Sequence, residues 1–186
     1  MDKLSRQSTK LAGVELITSL RHSDSRGSFS RWFCQQELAS LLPRQQIVQI
    51  NHSISSKQGT VRGMHFQYPP YAEYKLVRCI VGRVFDVVID LRAGSASFMQ
   101  HISVELSPEQ NTMLLIPPGC AHGFQSLTDN AELLYLHSAF YTPDAEGGLR
   151  FDDPALKIDW PLPISCVSER DAQLPLLNQH FSGLKL

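Results

Sequence analysis

The chain has 186 residues, 42% of them hydrophobic, and a formal net charge of −1. That length allows one domain with a sizeable core, and the near-neutral balance excludes bulk binding to nucleic acid or to an anionic membrane. No apolar run reaches membrane-spanning length, and the polar N-terminus lacks the apolar core of a signal peptide.

Residues 1–10 are expected to be a loose tail. Val14–Thr18 alternates as a strand. His22–Ser28 is a turn cluster built on Gly27, and Ser28–Phe33 reads as a strand with Phe29, Arg31 and Phe33 on one face. Gln36–Leu42 reads as a short helix ended by Pro43. Ile47–Ile54 is a strand with Gln49 and Asn51 on one face. Val61–Phe66 follows, with His65 sharing a face with Gly63 and Val61. Arg62 and Met64 face the other way unless a bulge intervenes. Tyr68-Pro-Pro-Tyr71 cannot continue a central strand, because proline has no N–H for the ladder. The loop it forms brings Lys75 back towards His65, at the head of a second run, Leu76–Val81.

A Gly82-Arg83 turn joins that run to Val84–Leu91 as a hairpin. Gln100–Leu106 and Thr112–Ile116 alternate in turn, then Pro118-Gly-Cys-Ala-His122 sets a glycine turn before a histidine. Ala131–Tyr141 is the last long strand, with Leu133, Tyr135 and His137 on one face. From Thr142 the pattern stops, and residues 142–186 read as an irregular tail wrapping the strands. Ser168 is placed to cap a short C-terminal helix. Short strands at regular spacing predict an all-β double-sheet jelly roll in a single domain, 1–186. Cys34, Cys79, Cys120 and Cys166 form no CxxC pair and read as free thiols of a cytoplasmic protein.

The glycine-flanked His65 and His122 resemble the two motifs of a cupin. Gln67 stands where metal-binding cupins carry a second histidine, so a metal shell stays incomplete unless Gln67 and Glu73 both contribute. No metal and no cofactor is expected. A more specific resemblance is to the dTDP-4-dehydrorhamnose 3,5-epimerase family. It is carried in order by Asp24-Ser-Arg-Gly-Ser-Phe29, Gln49-Ile-Asn-His-Ser53, Val61-Arg-Gly-Met-His-Phe-Gln67, Lys75-Leu-Val77, Gly82–Arg92, Ile116–Phe124, Asp152-Asp-Pro154, Ile158-Asp-Trp-Pro161 and Ser168-Glu-Arg-Asp171.

The resemblance implies proton abstraction next to a ketone, with return of a proton to the opposite face. It makes His65 the base, Asp171 its carboxylate partner, Lys75 the cation at the ketone oxygen and Tyr135 the proton donor. Arg62 and Arg170 match basic positions near the pyrophosphate, and Arg26, Phe29, Gln49 and Asn51 match positions that hold the nucleotide. Tyr141 joins the substrate-binding set. The implied substrate is a nucleotide-linked 4-keto-6-deoxy sugar, with thymidine, cytidine and other nucleotides all open. A homodimer whose N-terminal strands cross between subunits is also implied. The chain departs from the family pattern at Arg31, usually acidic, at Leu136, usually lysine, and at Glu73, usually glutamine. Two other functions compete: a metal-dependent cupin isomerase or oxygenase, and a non-catalytic sugar-binding cupin. His122 reads as structural, and His52, His101 and His137 join no constellation.

Overall fold

Val84–Asp90 has apolar residues on both faces, Val84 and Val88 on one and Phe85, Val87 and Ile89 on the other, so it must be covered on both sides. The computed structural model, which describes residues 3–43 and 45–186, shows how. In chain order the strands are β1 Leu4–Ser8, β2 Glu15–Ser19, β3 Arg21–Asp24, β4 Gly27–Ser30, β5 Gln49–Ser55, β6 Val61–Gln67 and β7 Lys75–Val81. They continue as β8 Val84–Asp90, β9 His101–Leu106, β10 Thr112–Ile116, β11 Cys120–Ser126, β12 Ala131–His137 and β13 Glu146–Gly148, followed by one short helix, α1 Glu169–Ala172.

Two antiparallel sheets face each other. One has six strands in the order β1-β2-β10-β7-β12-β5, and the other has five in the order β13-β6-β11-β8-β9. β3 and β4 form a separate hairpin. The crossovers between the sheets make a jelly roll. Residues of both inner faces fill the space between them: Val77, Cys79, Leu114 and Leu133 from the six-stranded sheet, Val84, Val88, Ile102 and Phe124 from the other. Each sheet also buries part of its outer face. Leu149, Leu156 and Leu184 of the tail cover Met64, Val87, Ile89 and Ala121. Leu38 and Leu42 cover Ile17, Leu76, Met113 and Leu136. β8 therefore contributes Val84 and Val88 to one layer and Val87 and Ile89 to the next, which is why its sequence is nearly all apolar.

The chain connects these strands through turns that its glycines permit. Gly82 takes a left-handed φ of 72° between β7 and β8, where a side chain would collide with Thr128. Gly63 packs against Gly123 of the neighbouring strand so closely that an added Cβ has no room.

Several expectations need correction. The N-terminal segment is not loose where described, because Leu4–Ser8 pairs with β2; Met1 and Asp2 lie outside the described residues. Gln36–Leu42 is a series of turns rather than a helix. Leu38 and Leu42 make backbone bonds to residues four back, but the ladder is not continuous. Seven residues before a proline gain too few bonds to offset helix nucleation, and burial of the two leucines holds the segment instead. The turn cluster at 22–28 is the tip of the β3–β4 hairpin, and its second strand ends at Ser30 rather than Phe33. β12 ends at His137, four residues early, as Phe140 and Tyr141 turn away over the barrel mouth. The four cysteines are free. No helix among the described residues is long and apolar enough to cross a membrane.

Candidate active site

Strand alternation places polar side chains inside the barrel at one end. On β7, Lys75 shares the inner face with Val77 and Cys79; on β12, Tyr135 and His137 share it with Leu133. They line a cavity of about 520 Å³ together with Gln49, Asn51, Arg62, His65, His122, Tyr141, Arg170 and Asp171.

Arg62 and His65 both reach this cavity because β6 is irregular. Phe124 of β11 stands opposite Arg62 while His122 stands opposite His65, so three steps along β6 match two along β11. That bulge turns Arg62 onto the inner face, against simple alternation, and leaves Met64 on the outer one. Arg62 donates to Ser55 Oγ at 3.2 Å and to the Ile54 carbonyl at 2.9 Å.

His65 Nε2 lies 2.7 Å from Asp171 Oδ1, and Gly63 N–H donates to Oδ2 at 3.0 Å. An ionised carboxylate only accepts, so Nε2 carries the proton and Nδ1 is the basic nitrogen. Asp171 is 4% exposed. Burial raises its carboxyl, but the His65 hydrogen bond and charge and the Gly63 N–H outweigh that and hold it below the ordinary aspartate range. Asp171 sits at this spot because Ser168 caps α1, its Oγ accepting from Asp171 N–H at 3.0 Å, as the sequence predicts.

Tyr135 stands on the opposite sheet. Its hydroxyl is 3.1 Å from Ser53 Oγ, and its ring stacks on His137 with centroids 6.2 Å apart. Burial pushes its phenol further up, only partly offset by the Ser53 contact, so it stays protonated at neutral pH. His122, read as structural, does pair with a buried carboxylate: its Nε2 is 2.9 Å from Asp86 Oδ2. It also lines the cavity, and burial lowers its pKa against the opposing charge of Asp86.

The mouth is held by polar contacts. Arg170 pairs with Glu146 at 2.5 Å, Tyr141 Oη donates to the same Glu146 oxygen at 2.7 Å, and the Tyr141 N–H donates to Gln49 Oε1 at 3.0 Å. Gln67 is fully engaged, donating to the Tyr71 carbonyl and accepting from Thr142 N–H, and Glu73 is bound to His137. The two residues needed to complete a cupin metal shell are thus committed elsewhere. Among the described residues no three His, Cys, Asp or Glu side chains converge as a metal-binding group.

Arg26 and Phe29 do not line this cavity. They stand on the β3–β4 hairpin, Arg26 paired with Asp24 and Phe29 68% exposed. Arg31 pairs with Glu37, whose other oxygen accepts from the backbone N–H groups of Lys3 and Leu4.

Several residues in or just behind the cavity wall escape a reading of the sequence. Asp86, which backs His122, carries a signal, since a carboxylate flanked by apolar strand residues needs a partner when buried. His137 carries one too, since it shares a face with Tyr135. Glu146 and Ser53 carry none.

The family model described as dTDP-4-dehydrorhamnose 3,5-epimerase matches residues 8–179. The chain belongs to this family. The dTDP-4-dehydrorhamnose 3,5-epimerase of Salmonella typhimurium is 42% identical over 173 residues, covering 92% of this chain and 94% of that protein. The crystal structure of the Bacillus anthracis dTDP-4-dehydrorhamnose 3,5-epimerase with TDP and PPi bound has a TM-score of 0.90 at 34% identity, covering 94% of this chain and 99% of that one. That of the Legionella pneumophila dTDP-6-deoxy-D-glucose-3,5-epimerase in complex with dTDP-4-keto-L-rhamnose has a TM-score of 0.89 at 36% identity, covering 95% and 94%. This member of the epimerase family is thus an isomerase with a cupin-type barrel, and the oxygenase and silent-binder readings fall away.

Proposed function

We propose that the cavity binds a dTDP-linked 4-keto-6-deoxyhexose and inverts C3, C5 or both. One observation carries this: a paired imidazole on the five-stranded sheet and a protonated phenol on the six-stranded sheet line one cavity. Epimerisation needs a base and an acid on opposite faces of the same carbon. In this scheme His65 Nδ1 takes the proton from the carbon beside the ketone. The C–H electron pair becomes the enolate, and its oxygen gathers charge against the Lys75 ammonium. Tyr135 then gives its hydroxyl proton to the other face and the ketone re-forms. The proton left on His65 and the one missing from Tyr135 are exchanged with solvent, so the step is redox-neutral. Asp171 fixes the imidazole tautomer and stabilises the imidazolium.

Arg62 and Arg170 are assigned to the pyrophosphate, and Gln49, Asn51 and Tyr141 to the nucleoside end. Thymidine is favoured by the relatives crystallised with TDP and with dTDP-4-keto-L-rhamnose; Arg31, a departure from the family pattern, pairs with Glu37 within the chain. The protein is proposed to work in the cytoplasm, where its free thiols persist.

A homodimer completes the proposal. Phe29, Leu20, Ile50 and Ile54 are all exposed apolar residues, and β5 is an open sheet edge. The β3–β4 hairpin of one subunit would lie along β5 of the other and carry Arg26 and Phe29 to its cavity.

The test is incubation with dTDP-4-keto-6-deoxyglucose in D₂O, with product stereochemistry read by NMR. Deuterium at C3 or C5 with inversion is expected; unchanged sugar, alongside turnover of the cytidine analogue, would refute the substrate.

A further inference from the structure

Lys75 is largely enclosed by the barrel wall and opens on the cavity. Its side chain is 13% exposed, yet its Nζ makes no hydrogen bond with any described residue. Its one charged neighbour is Glu73, whose Oε1 lies 3.6 Å away. A relaxed ammonium–carboxylate contact closes to about 2.7–2.9 Å. Something keeps this pair apart.

The other carboxylate oxygen gives the reason. Glu73 Oε2 lies 2.9 Å from His137 Nδ1. His137 Nε2 faces the Asn51 amide nitrogen at 3.4 Å, and Asn51 Oδ1 accepts from Gln49 at 3.2 Å. These roles fit a single tautomer: Nδ1 donates to Glu73 and Nε2 accepts from Asn51. The imidazole is fixed from a second direction by the Tyr135 ring stacked on it. Glu73 is itself only 10% exposed and lines the same cavity as Lys75, so the pair is screened less than one on the open surface.

We propose that His137 is a positioning residue for Lys75, acting through Glu73. By holding the carboxylate, His137 keeps it too far away to occupy the Lys75 donors. The three Nζ donors then remain free for the oxygen on which charge develops. This rests on the assignment of Lys75 to the ketone oxygen.

The test is a rescue. His137→Phe keeps a ring against Tyr135 and removes the hydrogen bond, so Glu73 closes on Lys75. The rate of deuterium exchange into the 4-keto sugar at saturation should fall at least about tenfold, short of the roughly 10²–10³-fold cost of losing such a donor outright, with KM within about threefold. Adding Glu73→Gln removes the competing charge and should restore most of that rate. His137→Asn, whose amide nitrogen takes the place of Nδ1, should stay near wild type. Where the phenylalanine variant does not fold, His137→Leu serves the same comparison. A double variant no faster than the His137 single variant overturns the inference. Lys75→Met, run alongside, separates the two levels. If it keeps the wild-type rate, the lysine assignment itself fails; if it is slow and no rescue occurs, only the role of His137 fails.

Discussion

Asp171→Asn exchanges one oxygen for an NH₂ group and leaves volume unchanged, yet it sets two donors against one acceptor. Asp171 accepts from His65 Nε2 at 2.7 Å and from Gly63 N–H at 3.0 Å. An asparagine can satisfy one of these and must turn its own N–H groups on the other. If Oδ1 stays with Gly63, the amide donates to His65, whose proton moves to Nδ1, and the basic nitrogen is turned away from the sugar. If Oδ1 stays with His65, the buried Gly63 N–H is left unpaired, at a cost of about 1–3 kcal/mol. Loss of the orienting carboxylate from comparable pairs lowers turnover by up to roughly 10⁴-fold. A fall of about 10²–10⁴ in exchange rate is therefore expected, smaller than for His65→Ala, which removes the base itself.

Stability carries an independent sign. The native Asp171 carboxyl lies below its unfolded value, so its contribution is present above the unfolded pKa of about 3.9 and is lost as pH falls through the lower, native one. Thermal unfolding from pH 7 to pH 3 should show that acid-side loss in the wild type and a flatter profile in Asp171→Asn. Exchange at the wild-type rate in a folded mutant would refute the pairing as the source of the base.

Lys75→Met should lower turnover by about 10²–10³-fold with little change in KM, since a developing oxyanion loses about 2.7–4 kcal/mol; weakened binding at unchanged turnover would place the lysine on the phosphates instead. Tyr135→Phe should keep deuterium exchange and lose most inverted product; inversion at the wild-type rate would point to another donor. Because burial raises the phenol, inversion by the wild type should persist to at least about pH 9, and an alkaline loss below that would argue against Tyr135. Phe124→Ala, at a fully buried ring between the sheets, should destabilise by about 3–5 kcal/mol in urea unfolding. Deletion of residues 1–33 should give an inactive monomer or aggregate by sedimentation, whereas a fully active monomer would rule out the exchanged hairpin.

Much of this was legible because strand alternation is strict. Lys75 and Tyr135 each share a face with apolar neighbours that had to point inwards, so their reach into the barrel followed from period two. Gln49 and Asn51 share theirs with Ser53 and Ser55, while Ile50 and Ile54 lie exposed on the other face, so only the family resemblance singled them out. Arg62 broke that rule: Gly63 in mid-strand allowed for a bulge, but whether it forms, and so which way Arg62 turns, depends on the register of β6 with β11. The turns at 36–42 were misread because helical spacing of leucines and burial of a short turn leave the same pattern. Glu146 and Ser53 were invisible for a simpler reason: their importance comes from what lies across the cavity. His137 looked idle because its partner Glu73 is 64 positions away.

The hydrogen bond between His65 and Asp171 spans 106 positions of sequence. Asp171 is delivered by the C-terminal tail, after the last described strand, and is fixed only once Ser168 caps α1 and the tail lies on the five-stranded sheet. During synthesis the barrel strands leave the ribosome well before the aspartate does. A chain clipped before residue 168 would own a cavity, a lysine and a phenol, but an imidazole with no fixed tautomer. Recovery of activity during refolding should then follow the docking of the tail rather than the formation of the sheets. Spectroscopic signals from β-structure would return first, and turnover last.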